Sequence, residues 1–137
     1  MGRILGIDYG LSRVGIAISD ELTIIAKPYK TLKNEDEKVL LKDIWSIVKD
    51  KNIEYIVLGL PISMNGKENK QTDLVKIFKD KMLIFDIPIH FEDERLSSVS
   101  AKKYLIQNKV KTGHNKSEVD KIAAAIFLQQ HIDKKRF

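Results

Sequence analysis

The chain has 137 residues, 43% hydrophobic and 31% charged, and no cysteine. That suits one domain spanning 1–137 and excludes a disordered chain, disulfides, thiolate metal sites and a cysteine nucleophile. Its 24 Lys+Arg against 19 Asp+Glu give a formal charge of +5, which favours a polyanionic partner such as nucleic acid but also fits a mere solubility feature.

Met1-Gly2-Arg3 leads straight into the apolar run Ile4 to Asp8, too short for the core of a signal peptide. No segment approaches a membrane span in length, so the expectation is a cytoplasmic protein without membrane contact. Arg13 to Asp20 alternates around Val14, Ile16 and Ile18, and Thr23 to Leu32 continues in β-branched residues. With the tight Tyr9 to Ser12 connection these predict an antiparallel meander. Asn34 is the expected N-cap of a helix, with Glu37 completing a capping-box-like pair and Val39, Leu40, Ile44, Ile47 and Val48 forming a buried stripe. Ile53 to Leu58 reads as a strand stopped by Gly59-Leu60-Pro61. A polar loop through Asn65-Gly66 then leads to an amphipathic helix carrying Leu74, Val75, Ile77 and Phe78. Ile87 to Phe91 is the next strand and ends in Glu92-Asp93-Glu94-Arg95. A helix from Ser97 to Asn108 and a flexible Lys109 to Lys116 stretch follow. The last helix starts at Ser117 and is apolar on nearly every side between Ile122 and Leu128, so it should pack deep against the sheet. The tail Asp133 to Arg136 reads as solvated. This order predicts an α/β mixed sheet with helices on its faces, and ligands gather at the carboxyl ends of strands in such sheets.

Two acidic positions, Asp8 and the Glu92 to Glu94 cluster, fall at strand ends. Asp8 alone reads equally as a turn residue, the role also expected of Asp20. Alternation puts Asp93 on the face of Phe91, with Glu92 and Glu94 on the other, and sequence does not decide which acid points inward. Asp120 resembles the third position of a capping box begun by Ser117, yet it sits on a helix that looks buried and needs a partner there. Three carboxylates from separate elements, if they converge, form the hard-oxygen set that Mg²⁺ or Mn²⁺ prefers for phosphodiester chemistry. His90, His114 and His131 lack zinc-like spacing, and Ser97-Ser98 lacks a nucleophile elbow and suits a helix cap.

Asp8-Tyr9-Gly10 with Arg13 and Gly15, Gly59-Leu60-Pro61 with Asn65-Gly66, Asp93-Glu94-Arg95-Leu96-Ser97-Ser98, and Val119-Asp120 with Ala123-Ala124 occur in that order across essentially the whole chain. Together they resemble the YqgF/RuvX family. The resemblance implies a ribonuclease-H-like fold, a mixed five-stranded sheet flanked by helices. It also implies a nuclease that processes the 5′ end of the 16S ribosomal RNA precursor, or else a Holliday junction resolvase. It singles out Asp8, Glu94 and Asp120 as the acidic active-site positions and metal ligands, and Arg13 and Arg95 as basic positions that hold phosphate or orient the acids. The family more often has a threonine in the hydroxyl pair where this chain has Ser97-Ser98, a change that keeps the cap chemistry.

The leading expectation is therefore a metal-dependent phosphodiesterase acting on structured RNA, with Arg13, Arg95 and the loop lysines, Lys111 and Lys116 among them, neutralising phosphates. Its partners would be pre-rRNA, the ribosomal precursor particle or branched DNA, met as a monomer or a homodimer. A resolvase should be a symmetric dimer on a two-fold substrate. A non-catalytic rRNA-binding factor is a third reading. An actin-like or sugar-kinase ATPase is disfavoured because it needs a second, duplicated domain.

Overall fold

In the computed structural model, residues 2–63, 65–94 and 116–136 are described. There are five strands, β1 (Arg3–Tyr9), β2 (Arg13–Ser19), β3 (Ala26–Lys33), β4 (Ile53–Leu60) and β5 (Ile89–Asp93), and β1, β2 and β4 are each buried over four consecutive residues because both faces of the sheet are covered. Three helices are α1 (Glu37–Asp50), α2 (Lys70–Met82) and α3 (Lys116–Arg136), with a 3-10 turn at Leu83–Phe85. The sheet order is β3-β2-β1-β4-β5, the first three strands antiparallel in sequence and β1, β4 and β5 mutually parallel. This is the expected mixed five-stranded sheet.

The two faces are divided by alternation. Leu5, Ile7, Ile16, Ile56, Leu58 and Ile89 meet Leu40, Ile44 and Ile47 of α1 and Val75, Phe78 and Met82 of α2. Ile4, Ala17 and Val57 point the other way and meet Ala124, Phe127, Leu128 and Ile132 of α3. Full burial of each large side chain contributes about 1.5–3 kcal/mol, which is why the near-continuous apolar run of α3 sits against the sheet as expected. No helix among the described residues is long and apolar enough to cross a membrane.

Several elements differ from the sequence reading. The N-cap of α1 is Asp36, whose carboxylate accepts from the amides of Lys38 and Val39. Asn34 instead donates from Nδ2 to the Gly10 carbonyl at 2.7 Å, because β3 continues to Lys33 and leaves Asn34 beside the β1–β2 turn. The buried stripe of α1 is Leu40, Ile44, Ile47 and Val48; Val39, about 100° around the helix from Leu40, is exposed. In α2, Val75 and Phe78 are buried while Leu74 and Ile77 are exposed. The α2 cap is a capping box of Asn69 and Thr72. β4 runs on through Gly59 to Leu60, and β5 begins after Pro88. α3 already includes Lys116, so Ser117 lies inside the helix and not at its cap. The tail is exposed at Asp133, Lys134 and Lys135 as expected, but it is still helical: α3 continues to Arg136, and Lys134 pairs with Glu92 at 2.6 Å. Asp20 does cap its turn, accepting from the amides of Ile24 and Ile25. The helix expected over 97–108, the 109–115 stretch, and with them Arg95, Lys111 and His114, lie outside the described residues.

Candidate active site

Because β1, β4 and β5 are parallel, their carboxyl ends share one edge of the sheet, with β4 in the middle. Asp8 follows Gly6 by two residues and so points to the α3 face. On β5 the same alternation sends Glu92 and Glu94 to that face and Phe91 to the other core. The ladder continues one step past the strand: the Glu94 amide donates to the Leu60 carbonyl at 3.2 Å. That bond carries Glu94 onto the end of β4, where its side chain crosses Gly59 to hydrogen-bond Asp8.

Gly59 makes this crossing possible. A Cβ there would strike the Glu94 carboxylate and lie 2.7 Å from the Phe127 ring. Glycine within a strand often marks such a close approach. Gly15 does the same for the third acid. It pairs with Asp8 across β1–β2, and a Cβ on it would overlap the Asp120 carbonyl and lie 2.8 Å from the Lys121 amide. The first turns of α3 thus rest on β2 beside Asp8.

Burial pushes the Asp8 carboxyl up to about 6, with the Asp120 charge adding to the rise and the hydrogen bond from Glu94 opposing it. Glu94 rises further, to about 9, through burial, repulsion from Asp8, the same hydrogen bond, and repulsion from Asp93. The two carboxyls share one hydrogen bond, and burial makes both hold a proton more tightly than free carboxyls do. A proton shared by two buried acids lowers their combined charge, as a bound cation also would.

Asp120 does not join that bond. Its Oδ2 accepts from Arg13 Nε at 2.6 Å. Arg13, expected to bind phosphate or orient the acids, is here committed to an acid. Among the described residues no three acidic, histidine or cysteine side chains stand together in ligating geometry. The structure therefore brings Asp8 and Glu94 into contact and leaves Asp120 adjacent, coupled to Asp8 through its charge. As a donor set, two touching carboxylates with a third beside them suit a hard divalent cation.

Sequence reasoning missed Lys33. It pairs with Arg13 across β2–β3, on the face shared by Asp8 and Gly15, and is exposed with no ion-pair partner among the described residues. Only the strand register reveals it. Lys116 opens α3 at this same end of the helix.

A family model described as "RuvX: Holliday junction resolvase" matches residues 2–134. The chain belongs to the RuvX family. Two relatives of this family member carry the description "Putative pre-16S rRNA nuclease": one from Roseiflexus sp. (strain RS-1), 37% identical over 98% of this chain and 96% of its own, and one from Endomicrobium trichonymphae, 42% identical over 97% and 96%. Among solved structures, T. thermophilus RuvC in complex with a Holliday junction substrate superposes with a TM-score of 0.63 over 99% of this chain and 96% of that one, at 12% identity. That likeness establishes the ribonuclease-H-like fold of this RuvX-family chain.

Proposed function

We propose that this RuvX-family chain is a cytoplasmic endonuclease that hydrolyses phosphodiester bonds of precursor 16S rRNA, with Asp8, Glu94 and Asp120 as its acidic centre. The observation that carries the reading is the buried Asp8–Glu94 pair at the carboxyl edge of three parallel strands, in a family whose relatives bear nuclease names. Buried like-charged groups destabilise a fold, and they persist where chemistry requires them.

Asp8 and Glu94, with Asp120 beside them, would hold Mg²⁺ or Mn²⁺. When bound, such an ion supplies a Lewis acid that activates water and offsets charge on the phosphate being cleaved. To hold the ion, the Asp8–Glu94 pair would have to give up the proton it shares. Arg13 holds Asp120 in a fixed orientation for the site. Lys33 lies beyond Arg13 on the same face and is suited to neutralise a backbone phosphate of the bound strand. Arg95, Lys111 and Lys116 complete the proposed phosphate contacts.

The test compares the protein with its Asp8→Asn variant on precursor 16S rRNA and on four-way-junction DNA, each with Mg²⁺ or Mn²⁺. Cleavage of the RNA near its 5′ end, lost in the variant, is the expected result. Cleavage of the junction alone would reassign the substrate to branched DNA. No cleavage of either, or equal cleavage by the variant, would remove Asp8 from catalysis.

A further inference from the structure

On the sheet face opposite the acids, α1 and the 3-10 turn enclose an open groove of about 550 Å³ lined by Lys38, Leu41, Lys42, Trp45, Ile84 and Phe85. Its floor is apolar. The Trp45 and Phe85 rings stack with centroids 5.4 Å apart, and Ile84 beside them is 74% exposed, with the neighbouring Leu83 also exposed. The size falls within the roughly 300–1,000 Å³ of ordinary ligand sites, and a contiguous exposed apolar patch on a monomer commonly marks a binding surface.

The rim decides what fits. Lys38 and Lys42 lie one helical turn apart on α1, both exposed, and neither has an acidic partner among the described residues. The neighbouring Glu37 is already paired with Lys81 at 2.7 Å. A second copy of the chain would meet this surface across a two-fold axis and set the two lysines against their own counterparts. RNA would meet a floor whose two rings already stack on each other, on a helix that also carries Glu37, Asp43 and Asp50. An acidic, apolar-faced segment has neither conflict. The i, i+4 spacing of Lys38 to Lys42 and of Leu41 to Trp45 matches the repeat of a helix laid alongside α1.

We propose that this groove docks an acidic amphipathic helical segment of another protein, its apolar side chains on Leu41, Trp45 and Ile84 and its carboxylates on Lys38 and Lys42. Because the groove and the acids occupy opposite faces of the sheet, a docked partner leaves the acidic edge open to substrate. The surface would thus tether the chain to a protein component of its target.

Trp45 is the chain's single tryptophan, so its emission reports occupancy. The full chain is titrated with a synthetic peptide bearing leucines at i, i+3, i+4 and i+7 and glutamates between them. Parallel titrations use a peptide with lysine in place of each glutamate and a twelve-nucleotide uridine RNA. The proposal expects a saturable Trp45 shift with the acidic peptide alone. It expects at least a tenfold loss of affinity in a Lys38→Glu, Lys42→Glu double variant, which in turn gains affinity for the lysine peptide, and a comparable loss in Ile84→Ser. All these substitutions are at exposed positions and leave cleavage unchanged. Equal binding of both peptides, a shift with RNA alone, or a concentration-dependent dimer abolished by Ile84→Ser would overturn it.

Discussion

Glu94 hydrogen-bonds Asp8 by reaching across Gly59, so two acids that are 86 positions apart in the chain meet over the one strand that separates them. The contact depends on three independent features. β1 and β5 both run parallel to β4, the Glu94 amide bonds the Leu60 carbonyl, and residue 59 has no side chain. Asp8 raises the affinity of Glu94 for a proton and Asp120 raises that of Asp8, and this repulsion among acids is the property a cation site exploits.

Replacing Gly59 with alanine tests the crossing directly. The new Cβ meets the Glu94 carboxylate and the Phe127 ring at once; the carboxylate can swing away from Asp8, whereas the ring cannot retreat without opening the α3 interface. Overpacking of this kind costs about 1–3 kcal/mol. Thermal unfolding of Gly59→Ala should show that loss, and cleavage should fall further than stability does, because Glu94 is displaced from Asp8. Cleavage retained at the parent level in a destabilised Gly59→Ala would separate the glycine from the site.

The raised carboxyls also fix a pH dependence. Asp8 and Glu94 bind protons more tightly folded than unfolded, so the folded state holds more protons from about pH 4 up to about pH 9. Stability from this pair is therefore present at low pH and is lost as pH rises through that window. Urea denaturation across pH 5 to 9 should show the decline. In Asp8→Asn it should flatten, with the variant more stable than the parent at pH 8 by about 1–3 kcal/mol. Millimolar Mg²⁺ or Mn²⁺ should flatten it in the parent as well, by replacing the proton as counter-charge. A parent slope unaffected by either change would exclude a charge-coupled pair.

Arg13 and Lys33 face each other across β2–β3 yet should fail differently. Arg13 is bonded to Asp120 at 2.6 Å, a charge-assisted bond whose loss costs about 1 kcal/mol once the 38% exposure of Arg13 is allowed for. Arg13→Gln should therefore lower kcat about fivefold and move KM little. Lys33→Gln should raise KM, leave kcat, and reduce the slope of log affinity against log salt by about one unit. Steady-state kinetics at two salt concentrations separates the two. Identical behaviour would mean that both residues serve the substrate alone.

β2, α1 and α2 were legible because their apolar residues repeat at two or near four, β1 and α3 because they are near-continuous apolar runs, and the three acids because the family motifs name them. What the sequence leaves open is register. Glu92, Asp93 and Glu94 are equivalent until β5 is known to extend to Asp93 and to remain bonded to Leu60. Lys33 was invisible because its proximity to Arg13 arises from strand pairing across a bulge. Asn34 misled for a local reason. It is as good a cap as Asp36, and only the length of β3 decides between them. The tail is as exposed as it reads, but the partner of Lys134 was not legible, because it lies on the edge strand.

That partner, Glu92, makes the end of α3 structural. Glu92 is buried, with Lys134 Nζ at 2.6 Å and His131 Nδ1 at 3.6 Å, and the far ring nitrogen of His131 lies 3.0 Å from the Tyr55 hydroxyl. Burial pushes the His131 pKa down, Glu92 pulls it up, and Lys135 and His90 add to the fall, so the ring is neutral at pH 7. Lys134 is then the cation that offsets Glu92. Removing it in Lys134→Met leaves a buried carboxylate facing a neutral imidazole. A fully enclosed pair would lose about 3–5 kcal/mol, but Lys134 is 67% exposed, so about 1–2 kcal/mol is expected at pH 8. A depressed histidine makes the parent less stable as pH falls through 6.5. In Lys134→Met protonated His131 becomes the counter-charge, so the deficit against the parent should shrink between pH 8 and pH 6. Denaturant titrations of both proteins at the two pH values measure it. A deficit that stays constant or grows toward pH 6 would show that His131 does not face Glu92 in solution.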